Sequence, residues 1–172
     1  MRRVALILPI FLFSCGSGGH DMVNDPRSGV STVVNREMPE IVTDDDTLHE
    51  LVYQFYADAE WLNTPTLTDF KTITIVESAP DLVDGVVGVC KTYGVGKAET
   101  YREVLLLKSF WDSVSYEAKR TLVFHESSHC ALDLGHTAPD SMQIMQPTVL
   151  PDEYAIAHWI ELVEFLFASA KH

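Results

Sequence analysis

The sequence predicts an α+β fold, a small twisted and mostly antiparallel sheet with a backing helix, a histidine-bearing helix and a C-terminal helix. Three observations predict it. Apolar residues recur at helical spacing in three well-capped segments. Three short β-branched or wholly apolar segments lie between the first two of these. The chain has 172 residues and is 47% hydrophobic, enough for one domain with a real core.

The chain opens with MRRVALILPIFLFSC. Arg2 and Arg3 form a basic start, and the apolar run Val4 to Phe13 is shorter than the roughly 20 residues of a membrane-spanning helix. It fits the core of an export signal. Leu12-Phe13-Ser14-Cys15 resembles the lipobox of bacterial lipoproteins, which implies that residues 1–14 are removed and that Cys15 is lipidated. The other reading is an ordinary export signal cut near Ser17. Either way the domain is expected outside the cytoplasm: in the bacterial cell envelope on a lipid anchor, or secreted. Residues 15–43 are polar and rich in Gly, Pro, Asn and Ser, and read as a tether, with a short strand possible within Val30 to Val34. The folded domain is expected over residues 44–172.

Thr43-Asp44-Asp45-Asp46 opens the first helix with acids in its first turn. Leu48, Leu51, Val52, Phe55, Ala59 and Leu62 form its apolar stripe, and Thr64-Pro65 ends it. Phe70 to Val76 reads as a strand. Val86 to Thr92 is a second, led by an Asp84-Gly85 turn and followed by Gly94 and Gly96. Glu103 to Lys108 is a third, and its apolar run Val104 to Leu107 places it inside the sheet. After a short connection from Trp111, Ser115 is a good N-cap for the histidine-bearing helix, with Glu117 in its first turn. That helix is expected to reach about Leu134, with Gly135 as its left-handed stop. Pro151, Asp152 and Glu153 start the last helix. Its apolar face is read as Ile156, Trp159, Ile160, Val163, Leu166 and Phe167.

The formal net charge is −13, from 25 acids and 12 bases, which argues against a nucleic-acid partner and against adhesion to anionic lipid by charge. Any membrane contact is expected through the lipid anchor alone. With Cys15 set aside, Cys90 and Cys130 remain, forty residues apart. In an oxidising compartment they are expected to form a disulfide, contributing roughly 4 kcal/mol in the chain-entropy account.

The chemistry lies in FHESSHCALDLGH, residues 124 to 136. On a helix His125 and His129 lie one turn apart on the same face, so both imidazoles can reach one zinc ion at about 2.0–2.1 Å. Glu126 is turned by about 100° from His125 and stands beside the metal, where it can take a proton from metal-bound water. This is the H-E-x-x-H logic of zinc peptidases. The bland alternative is a solvated helix face rich in histidine. His136 follows the helix stop and is expected as the third ligand, leaving one position open. Asp140, Glu153 or Glu161 could replace it. Cys130 points away from His129 and is expected to tie the helix to the Cys90 strand instead. His20, His49, His158 and His172 read as exposed or terminal. Tyr93, Tyr101 and Tyr154 are candidates for stabilising an oxyanion.

The stretch resembles the metzincins, whose pattern is H-E-x-x-H-x-x-G-x-x-H followed by a methionine turn. It departs in two places: Leu132 stands where the glycine is expected, and His136 comes one residue late. It is more similar to a group of small, often exported bacterial metallopeptidase-like proteins with an F-H-E-L-G-H-C-x-L-x-x-x-H pattern, in which the late histidine is the rule. Phe124 to Cys130, Leu132 and His136 match, with Cys90 on a preceding strand and Trp111 ahead of the helix. Ser127 and Ser128 replace the usual Leu-Gly. The likeness spans roughly residues 86 to 148. It implies a zincin-like fold in which the histidine helix is the active-site helix, a single zinc ion, and hydrolysis of peptide or protein substrates with Glu126 as general base. Ser141 to Pro147 looks like the methionine turn, with Met145 as a hydrophobic base under the ligands. The substrate is expected to lie extended along an edge strand, and Val86 to Thr92 is the candidate edge. No pro-segment with a cysteine switch is evident. The competing expectation is a non-catalytic zinc-binding surface lipoprotein with a degenerate protease site.

Overall fold

The structure, a computed structural model, describes residues 37–82, 85–94 and 100–170. The chain divides into units Met1–Thr32 and Val33–His172, and every described residue lies in the second. Cys15, the export signal, the possible strand at Val30 to Val34, Asp84 and Gly96 lie outside the described residues. Among those described, no helix is long and apolar enough to cross a membrane.

The order along the chain is β1 (Glu40–Ile41), α1 (Asp46–Trp61), β2 (Phe70–Val76), β3 (Gly88–Tyr93), β4 (Tyr101–Leu107), α2 (Lys108–Trp111), α3 (Tyr116–Leu132) and α4 (Asp152–Ser169). The fold is α+β, but its four-stranded sheet is mixed. Strand order is β1-β2-β4-β3, with β1 parallel to β2, β2 parallel to β4, and only β3 antiparallel to β4. This corrects the expected mostly antiparallel sheet, for two physical reasons. The two-residue β1 sits in the stretch read as tether, and α1 carries the chain over from it to β2, which makes that pair parallel. The most apolar strand, β4, then takes the position beside β2, with Val104 and Leu106 fully buried. That displaces β3 to the edge, as the sequence expected of that strand.

Two of the helices are capped by side chains near where their sequences suggest, while α4 starts at Asp152 with Pro151 just outside it as an N-cap without a side-chain bond. Asp45 accepts the Leu48 N–H at 2.9 Å with one carboxylate oxygen and the Trp111 indole N–H at 3.0 Å with the other. One acid therefore starts α1 and holds α2 against it. Ser115 caps α3 through the Ala118 N–H at 3.1 Å. A cluster of rings joins three helices: Phe55 of α1 lies 5.4 Å from Phe124 of α3 and 5.2 Å from Phe167 of α4.

Two helix readings need correction. The chain leaves α3 at Asp133, which adopts the left-handed conformation at φ 57°, and not at Gly135. Aspartate tolerates this region better than most residues, and its carboxylate is held there by Arg102 Nη1 at 2.9 Å. Arg102 also donates to the carbonyls of His129 and Cys130 at 3.2 and 3.3 Å, and the Leu67 N–H to that of Ala131 at 2.8 Å. The open carbonyls of the last turn are thus satisfied from the sheet side. In α4 the expected face is only half right. Val163, Leu166 and Phe167 are buried, but Ile156 and Ile160 are 62% and 59% exposed. His158 has non-helical backbone angles, and this kink shifts the phase of Ile156 relative to the buried residues after it; Ile160 lies beyond the kink, which does not explain its exposure.

Cys90 of β3 and Cys130 of α3 form a disulfide with a Cα–Cα separation of 5.5 Å. It closes a 40-residue loop. Replacing both cysteines by alanine is expected to destabilise the domain by about 3–4 kcal/mol. Urea unfolding of the double variant beside wild type measures it, and an unchanged midpoint would mean that the helical and sheet contacts alone hold α3.

Candidate metal centre

His125 and His129 stand one turn apart on α3, and His136 reaches them from the chain that leaves it. The three Nε2 atoms are mutually 3.1 Å apart. Among the described residues this is the one group of histidines, cysteines and acids with the spacing to hold a metal ion. Asp140, Glu153 and Glu161 are exposed and lie outside it, so the structure brings together the three histidines the sequence named and none of the acids.

Backbone carbonyls aim the rings. His125 Nδ1 donates to the Ile144 carbonyl at 2.7 Å, and His129 Nδ1 to the Leu134 carbonyl at 2.5 Å. With the proton on Nδ1, each Nε2 carries a lone pair pointing at its neighbours. Burial holds the His125 imidazole down to about 4, with the charges of His129 and His136 adding to the effect and the Ile144 bond opposing it. Burial lowers His129 as well. At neutral pH His125 and His129 are therefore neutral, and the three converging nitrogens, at this spacing, could hold one metal ion between them.

The segment that supplies these carbonyls is itself pinned. The Thr137 N–H donates to the Met145 carbonyl at 2.8 Å, one residue from His136 and one from Ile144. Gln146 is buried, accepts the Met142 N–H at 3.0 Å and donates to the Thr148 carbonyl at 3.0 Å. Met142 takes a positive φ of 53° in the same turn. Met145 is 4% exposed, within the main core.

Glu126 is 5% exposed. Its burial pushes the carboxyl up to about 8, with the backbone N–H of Cys90 pulling the other way. It packs on the edge strand at Gly88, where an added Cβ would lie 2.8 Å from both Cγ and Oε1 of Glu126. Only glycine admits the carboxylate there. A lone glycine in a strand is a recognised sign of close approach, and this signal could have been read. Glu126, His125 and His136 open onto a cleft of about 150 Å³ between Gly85–Gly88, α3 and residues 146–149.

The other sequence candidates fall away from the cleft. Tyr93 and Tyr101 stack at 4.7 Å, with the Tyr93 hydroxyl donating to Glu103, and Tyr154 stacks on His158. None of the three lines the cleft. Ser127 and Ser128 are fully buried, and Ser128 donates to the Phe124 carbonyl at 2.6 Å. Cys130 is in the disulfide, not at the metal. Sequence reasoning missed the two aiming carbonyls, Gly88 and Arg102.

No protein-family model, curated protein or solved structure matches this chain.

Two outcomes follow from the geometry. His136→Ala is expected to weaken zinc binding at least ~100-fold by competition with a chromophoric chelator, because a ligand is lost; unchanged affinity would remove His136 from the site. The second concerns Glu126 without metal. Its folded value of about 8 lies above its ordinary 4.5, so the folded state holds the proton, and stability is lost as pH rises from about 5 to about 9. Chelator-treated Glu126→Gln is expected to lack that loss and to exceed wild type at pH 9 by on the order of 5 kcal/mol in urea unfolding. Parallel pH profiles would show that the carboxyl is not desolvated.

Proposed function

We propose that the protein is a zinc-dependent peptidase of the cell envelope. The observation that carries this is the convergence of three Nε2 atoms beside a buried glutamate at a cleft. An all-imidazole set favours zinc over the hard cations, which take oxygen ligands. Three protein ligands leave one position for water, the arrangement of catalytic rather than structural zinc. Zinc, when bound, lowers the pKa of its water towards about 7 and polarises a carbonyl.

The chain's own residues do the rest. Glu126 takes a proton from the attacking water and returns it to the leaving amine. Its desolvated carboxyl has a proton affinity near neutral, which suits a group that must do both. The Ile144 and Leu134 carbonyls keep the Nδ1 protons of His125 and His129 in place, so that their Nε2 atoms remain ligands. The fold is read as zincin-like, with Met145 as the apolar floor of the turn that supplies Ile144. The export signal and Cys15 are read as delivering the domain to the envelope on a lipid anchor.

Zinc-loaded protein is expected to cleave members of a mixed peptide pool. Glu126→Gln should lower kcat by about 10²–10⁴-fold while zinc content, by elemental analysis, stays the same. Activity that survives the change would remove Glu126 as base. Zinc binding with no cleavage by wild type would leave a metal-binding surface protein with a degenerate site.

A further inference from the structure

Two contacts join the edge strand to the histidine-bearing helix, and they line up. Gly88 and Cys90 are two residues apart on β3 and so share one face of the strand. Glu126 and Cys130 are four residues apart on α3 and so share one face of the helix. Gly88 lies against Glu126, where an added Cβ would stand 2.8 Å from Cγ and Oε1. Cys90 is bonded to Cys130. Two strand residues advance about 6.6 Å and four helical residues about 6 Å, so the spacings match. The two contacts are rungs of one register between β3 and α3.

One rung is covalent and the other is only close packing. β3 is an outer strand, paired with β4 on one side. The Leu107 N–H donates to the Val87 carbonyl at 2.9 Å. Ladder bonds alternate along an antiparallel pair, so the N–H of Cys90 is turned away from β4. It donates to the Glu126 carboxylate instead. Cys90 thus holds the glutamate with its main chain and the helix with its sulfur. The histidines are held by other groups: the Ile144 and Leu134 carbonyls, and Arg102 on the last turn of α3.

We infer that Cys90 is a positioning residue for Glu126, and that its disulfide with Cys130 makes the activity conditional on an oxidising compartment. The inference rests on the peptidase reading and adds the regulation of that site. In the dithiol form the three histidines keep their partners and zinc still binds. The strand has lost its covalent place on α3, and the carboxylate loses its fixed position beside the water. Closing the bond removes two protons and two electrons from the thiols. An oxidant disulfide takes them up by thiol–disulfide exchange and becomes a dithiol. The bond persists outside the cytoplasm, and the dithiol form prevails in a reducing cytosol.

The protein is refolded with zinc under a water-soluble phosphine, which keeps the thiols reduced without binding zinc as a dithiol does. It is compared with the oxidised protein and with the Cys90→Ala, Cys130→Ala double variant, each below its melting temperature. Both disulfide-free forms are expected to show a kcat about 10- to 100-fold lower, the scale of a small misplacement at a reacting centre, with KM and zinc content unchanged. Re-oxidation should restore wild type and not the variant. Gly88→Ala keeps the disulfide but crowds Glu126. It should lower kcat in the oxidised form and lose little more on reduction, because both changes act on one contact. Equal kcat in oxidised and reduced protein would overturn the inference and leave the peptidase intact. So would a fall in kcat that follows loss of zinc or of fold, or a Gly88→Ala protein with wild-type kcat. No cleavage of any peptide by oxidised wild type would overturn the peptidase reading, and this inference with it.

Discussion

The histidine cluster depends on how firmly the last turn of α3 is held. A helix places His125 and His129 one above the other, but it does not decide where the chain goes next. Arg102 grips the carbonyls of His129 and Cys130 and the carboxylate of Asp133. The disulfide ties Cys130 to the edge strand. With the turn held on both sides, the left-handed Asp133 sends the chain back towards the imidazoles it has just left. The Leu134 carbonyl then meets His129, and His136 reaches the cluster two residues later. The return of the chain supplies both the third histidine and the carbonyl that orients the second.

The same packing accounts for the electrostatics. Charged groups are costly in a desolvated setting, and here the cost falls differently on base and acid. Burial lowers the affinity of His125 and His129 for protons and raises that of Glu126. The imidazoles are thereby kept as neutral lone-pair donors, and the carboxyl is kept near the range where it can accept and return a proton. The absence of a side chain at Gly88 lets the edge strand press against Glu126 closely enough to produce this. A single packing contact between β3 and α3, locked by the disulfide, thus serves both the histidine cluster and the buried glutamate.

The sheet was harder to read. β2 matches its sequence span from Phe70 to Val76, and β3 and β4 lie within two residues of theirs. Their pairing did not follow from pattern, because β-branched runs mark a strand without naming its neighbour. A two-residue β1 has no periodicity to find, yet it makes one pair parallel and helps to place β4 inside. The exposed Ile156 shows the same limit in a helix, since a phase count cannot foresee a kink at His158.

What the sequence by itself determined is everything governed by short range. The acidic opening of α1, the cap at Ser115, the period that aligns His125 with His129, and the offset of Glu126 all arise within a few residues of chain. The one long-range pairing it did specify, Cys90 with Cys130, followed from there being two cysteines left to pair. The tertiary structure alone decided which acceptors aim the imidazoles, that His136 and not Asp140, Glu153 or Glu161 joins them, and that Gly88 backs the glutamate. Those contacts join residues that helical and strand periodicity cannot bring together, and they exist only after β3, α3 and the returning loop have packed.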